Sequence, residues 1–121
     1  MDLKEKIKNC EDVKSEIFHV VEWDEDVLLK SFTAWVRTVI LDKARMPNDE
    51  LDNVMLNELL VINSVYDPNT GEKLFTEDDL PWLRKKSGQA LDSIVGRLMQ
   101  INKLASKDVE EEAKNKNTGN P

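Results

Sequence analysis

Ile17-Phe18-His19-Val20-Val21-Glu22-Trp23-Asp24-Glu25-Asp26-Val27-Leu28-Leu29-Lys30 runs directly into Ser31-Phe32-Thr33-Ala34-Trp35-Val36-Arg37-Thr38-Val39-Ile40, and the spacing of apolar residues changes at that junction. Residues 17–21 are β-branched and aromatic, a composition that suits a pleated, half-buried surface. Beyond the polar Trp23-Asp24-Glu25-Asp26 lies a second short apolar run, Val27-Leu28-Leu29-Lys30, so the pair reads as a β-hairpin. The turn holds neither Gly nor Asn, which disfavours a two-residue loop with positive φ and predicts a wider one. From Ser31 onward, Phe32, Trp35, Val36, Val39 and Ile40 recur at the spacing of an amphipathic helix, with Trp35 expected on its buried stripe. A strand competes, because Val36, Thr38, Val39 and Ile40 are β-branched. The helix wins on magnitude: such residues cost at most about 0.7 kcal/mol each in helix propensity, while burying a large side chain gains about 1.5–3 kcal/mol.

Working outward, Asp2 can cap a short helix that places Leu3, Ile7 and Cys10 on one face. Downstream, Pro47 ends the helix of residues 31–46 by pushing Met46 out of the α region. Asn48 is then expected to cap the next helix, with Asp49 and Glu50 in its first turn. Leu51, Val54, Met55, Leu59, Ile62, Val65 and Tyr66 continue it at helical spacing. Asp67-Pro68-Asn69-Thr70-Gly71 is a turn. Thr76 and Asp79 resemble a capping box, and Pro81 fits a first turn, so a short helix is predicted over 77–86. Ser87 can cap the last long helix, whose buried face would be Ala90, Leu91, Ile94, Val95, Leu98 and Ile101, extending to Leu104 and Ala105. Gly96 within it marks either close helix packing or a weak point. Residues 114–121 are polar with no apolar anchor and are expected to be disordered. The predicted class is therefore α+β, mainly helical. A small N-terminal hairpin packs on three longer helices and one short one in a single domain over 1–106, followed by an acidic and polar flexible tail over 107–121.

Bulk properties narrow the function. A chain of 121 residues supports one core. A formal net charge of −7 argues against phosphate-backbone binding, and lysines interspersed with acids read as solvated surface. One cysteine, Cys10, cannot form an internal disulfide. No apolar run approaches the roughly 20 residues of a membrane span, and the N-terminus lacks the apolar core of a secretory signal. A reducing cytoplasm is the simplest compartment. His19 is the single histidine, and neither Cys10 nor any serine has an evident orienting base nearby in sequence. Asp78-Asp79 and Glu110-Glu111-Glu112 are accounted for as helix-start and tail residues. Residues 67–72 miss the register of a calcium loop, and no Gly-rich phosphate loop occurs. The expectation is a binding protein and not an enzyme, with no catalytic, cofactor or metal residues and neither nucleic acid nor membrane as partner. Trp23, Trp35 and Trp82 read first as packing residues, but Trp23 at a loop and Trp82 after a proline, if exposed, are natural anchors for a partner polypeptide. The residues expected to grip one are Trp23 and Trp82, with Val27, Leu29 and Phe75. An acidic regulatory protein that mimics DNA is the alternative, resting on net charge alone.

The order of segments carries a resemblance along nearly the whole chain. Ile7-Lys8-Asn9-Cys10-Glu11-Asp12-Val13-Lys14-Ser15-Glu16 leads into the hairpin around Trp23. Leu60-Val61-Ile62-Asn63-Ser64-Val65-Tyr66-Asp67 is followed by Asn69-Thr70-Gly71-Glu72-Lys73-Leu74-Phe75-Thr76-Glu77-Asp78-Asp79-Leu80, and later by Ile101-Asn102-Lys103-Leu104. This resembles the tail assembly chaperones of long-tailed bacteriophages of the siphophage type. Two departures stand out: Asp24 occupies a position where the family often has Gly, and Pro81 is foreign to its helix. The resemblance implies a protein of the bacterial host cytoplasm, absent from the mature virion. Such a protein binds the tape measure protein, keeps it soluble, and recruits the tail tube protein through a longer frameshifted form; self-association is also expected. The residues permit a slippery heptamer at Ala113-Lys114-Asn115, encoded GCA-AAA-AAC, and at Thr118-Gly119-Asn120, encoded ACG-GGA-AAC.

Overall fold

The computed structural model describes residues 2–103. In chain order these form α1 (Leu3–Lys8), β1 (Ser15–Val20), β2 (Glu25–Lys30), α2 (Ala34–Ala44), α3 (Asn53–Ser64), β3 (Val65–Tyr66), a 3-10 turn (Glu77–Asp79), α4 (Leu80–Leu83) and α5 (Gly88–Ile101). The class is α+β and mainly helical, as the sequence predicts. Leu104, Ala105, the 107–121 tail and the frameshift positions Ala113, Lys114, Asn115, Thr118, Gly119 and Asn120 lie outside the described residues.

The hairpin forms in antiparallel register from Ser15↔Lys30 to Val20↔Glu25, leaving residues 21–24 as its loop. The loop is wide, as expected, yet Asp24 takes φ 50, a left-handed conformation tolerated by a short polar side chain. Period-2 alternation aims Phe18, Val20, Val27 and Leu29 inward and leaves Ile17 and His19 outside. A third strand departs from the expected hairpin. The apolar stripe of α3 runs on through Val65 and Tyr66, but the helix stops at Ser64 and those two residues pair with β2 as Leu29↔Val65 and Leu28↔Tyr66. Buried Leu29 sits in a strand whose second edge would otherwise carry unpaired backbone groups. A β-branched residue followed by an aromatic one fills that edge at little cost.

Two helix expectations need correction. The cap of α3 is Asp52, not Asn48: its carboxylate accepts from Val54 N–H at 3.1 Å and Met55 N–H at 3.2 Å. Residues 46–50 are instead a tight turn, in which Met46 N–H donates to the Glu50 carbonyl at 2.7 Å and Asp49 takes φ 72. Asp52 N–H closes the loop onto the Ala44 carbonyl at 2.7 Å, so residues 48–51 cannot wind into a helix. The start of α3 accordingly leaves Val54 and Met55 exposed, whereas Leu59, Leu60, Val61 and Ile62 are all buried. Trp35 is the second correction. It is 73% exposed, because α2 turns the 36/40/44 row of Val36, Ile40 and Ala44 to the core and Trp35 falls about 100° away. Its position past the Thr33 cap adds no neighbouring turn to cover it.

Other elements follow the sequence closely. Asp2 caps α1 through Glu5 N–H at 2.9 Å, although Leu3, Ile7 and Cys10 stay exposed. The segment predicted over 77–86 is shorter, a 3-10 turn running into α4 with Pro81 in its first turn. Ser87 caps α5, which buries Ala90, Ile94, Val95 and Leu98 against the inner face of the sheet and against α3. A bidentate pair between Glu16 and Arg97 ties β1 to α5.

Candidate functional site

One end of the sheet gathers side chains from four separate segments. The hairpin loop delivers Trp23, half-buried. The first inward position of β2 delivers Val27. Phe75 arrives by way of the 67–74 turn, whose geometry is set by three local features. The Asp67 carboxylate accepts Asn69 N–H at 2.7 Å, and Gly71 supplies a φ of 76. Leu74 N–H then donates to the Val65 carbonyl at 3.1 Å, which brings the chain back to β3 and sends Phe75 into the core at 6% exposure. Trp82 comes from α4. The Asp79 carboxylate accepts Thr76 N–H at 2.8 Å and Trp82 Nε1–H at 3.0 Å, so the same acid that starts the short helix also fixes the indole. Those hydrogen bonds, the Thr76 one first, hold the Asp79 carboxyl below its ordinary value.

The three rings form a continuous set. Trp23 and Phe75 meet edge to face with centroids 6.5 Å apart, and Phe75 and Trp82 do the same at 5.8 Å. They line an open concavity of about 500 Å³ together with Val27 and Leu74. Its charged lining is Glu25, Asp26, Asp67 and Lys86. Trp82 and Leu74 are 44% and 38% exposed, so apolar surface is offered to solvent there.

Four of the five residues expected to grip a partner, Trp23, Val27, Phe75 and Trp82, therefore line one surface depression despite spanning most of the chain. Leu29 does not join them. It is wholly buried in the core, because it points inward two residues beyond Val27 and is covered by the helical layer. The acids at the rim were not singled out in the sequence, where Glu25, Asp26 and Asp67 read only as turn residues.

Beside this depression, on the outer sheet face, His19 lies between two carboxylates, Nδ1 2.7 Å from Asp26 and Nε2 3.3 Å from Asp24. The Asp26 hydrogen bond, outweighing the effect of burial, raises its pKa above the ordinary imidazole value, with the Asp24 charge adding to it. The described residues contain no group of three metal-ligating side chains, and no helix among them is long and apolar enough to cross a membrane.

No protein-family model matches the sequence, and no curated protein matches it. Among solved structures the chain is similar to the tail assembly chaperone of bacteriophage HK97. The TM-score is 0.56 with 11% sequence identity, over 81% of this chain and 95% of that one. At that identity the likeness is one of fold.

Proposed function

We propose that this chain is a phage tail assembly chaperone: it binds the tape measure protein, keeps it soluble while the tail is built, and helps bring tail tube subunits to it. The observation that carries this reading is the fold held in common with the HK97 chaperone over 95% of that protein's length. The independent likeness of segment order, from the Trp23 hairpin to the Leu-Phe-Thr-Glu-Asp-Asp stretch after Gly71, supports the same family. The aromatic depression gives the reading a physical means. A long helical tape with apolar stripes needs that surface kept from water, and exposed indole area beside carboxylates can cover it while the complex stays charged and dispersed.

In this reading the protein works in the host cytoplasm and leaves before the virion matures. Recruitment of the tube subunit belongs to a longer frameshifted form, and copies of the short form associate along the tape. Co-expression with the tape measure protein of the same phage should move that protein into the soluble fraction, with the two co-eluting on size exclusion. A tape measure protein that stays insoluble and forms no complex would sink the proposal. The DNA-mimic alternative needs one unbroken acidic face. Lys43, Arg45, Arg84 and Arg97 instead form ion pairs on α2, on the turn after it, after α4 and on α5, so cations are spread over the molecule.

A further inference from the structure

We infer that the aromatic depression recognises an arginine side chain of the bound polypeptide, held over the rings of Trp23 and Trp82 and neutralised by the carboxylates at the rim. The inference deepens the chaperone reading by naming the side chain through which a segment of the tape would be gripped.

Three observations converge on it. The first is the wall. Two indoles each meet the Phe75 ring edge to face, at 77° and 69°, and both line the depression, Trp82 at 44% exposure. Trp is the strongest cation–π partner, and a planar guanidinium can stack on it as an ammonium cannot. The second is orientation. The polar edge of Trp82 is already engaged by Asp79, which keeps the indole from turning its N–H toward an incoming cation. The third is charge. Among the described residues the lining carries Glu25, Asp26 and Asp67 against Lys86, with Asp26 also paired to His19 beside it, and the whole chain is at −7, so a cation approaches with favourable electrostatics. An acidic segment would be repelled by the same lining.

The test uses the full chain and small probes whose only difference is charge. N-acetyl-arginine amide is titrated against N-acetyl-citrulline amide, its neutral isostere, while the indole N–H signals are followed by NMR. Trp35 does not line the depression and serves as the internal reference. The expected result is saturable movement of the Trp23 and Trp82 signals with a still Trp35. The citrulline compound should bind roughly threefold to tenfold more weakly. Glu25→Lys, an exposed change that leaves the core intact, should weaken the arginine compound, and Lys86→Gln should strengthen it. Equal binding of the two probes, or equal movement of all three indoles, overturns the inference. Co-elution with the tape measure protein by a chain that ignores the arginine probe also removes this inference while leaving the chaperone function in place. Arginine binding without any tape measure complex keeps the recognition and removes that function instead.

Discussion

His19, Ser64, Gly71 and Gly96 show how far the meaning of a residue depends on its backbone and neighbours. A Cβ built on Gly96 meets nothing within 4 Å among the described residues, so close packing between them is not the reason for that glycine, and it is a weak point in α5. Gly96→Ala is expected to raise stability by about 0.8–1 kcal/mol in urea unfolding, the difference in helix propensity. Gly71 has equally open surroundings but a φ of +76, and Gly71→Ala should lose about 1–2 kcal/mol by the same measurement. Ser64 is 1% exposed and its hydroxyl has no hydrogen-bond partner among the described residues. Ser64→Ala should therefore stabilise, by about 1 kcal/mol, since the unmet hydroxyl carries a desolvation cost that alanine does not. His19 is a pH question. Its pKa is raised in the folded chain by the Asp26 hydrogen bond, so its contribution to stability is full below the unfolded value of about 6.5 and is lost as pH rises through the folded value. An NMR titration should place the His19 midpoint above about 6.5, and Asp26→Asn should return it toward the ordinary value.

The elements separate into those written in local chemistry and those imposed by neighbours. The caps of α1 and α5, Asp2 and Ser87, and the Asp67–Gly71 turn were legible because each is satisfied within a few residues. The start of α3 was not. Asn48 and Asp52 are both competent caps, and the choice between them is made by backbone bonds that close residues 44–52 into a loop. Asp52→Ala should cost about 1 kcal/mol in thermal or urea unfolding, and Asn48→Ala distinctly less, because only the first empties the two N–H groups at the start of α3. The junction of β1 and α5 carries a second pH dependence. The Arg97 hydrogen bond holds the Glu16 carboxyl below its ordinary value. Its stabilisation is present above about 4.3 and lost as pH falls through the folded value. The unfolding midpoints of the wild type and Arg97→Gln should differ at neutral pH and converge in acid. The difference should be small, since both side chains are about a third or more exposed and solvent screens the pair.

At the scale of the whole molecule, the aromatic depression predicts a separation of binding from folding. Trp82→Ala removes a partly exposed ring outside the core, so it should leave far-UV circular dichroism unchanged and reduce tape measure co-elution. Leu29→Ala should instead lose about 2–5 kcal/mol of stability, because it opens a cavity at the centre of the core. Read alone, the amino-acid sequence determined the helical class, the hairpin, the caps of α1 and α5 and the inward face of α5, since each depends on periodicity or on bonds spanning a few positions. Tertiary structure alone decided that Val65 and Tyr66 become a strand, that Trp35 faces solvent, and that Trp23, Val27, Phe75 and Trp82 share one depression while Leu29 does not. Those outcomes turn on which backbone edge lacks a partner and which faces meet across long separations in the chain, and neither is encoded in the spacing of any one segment.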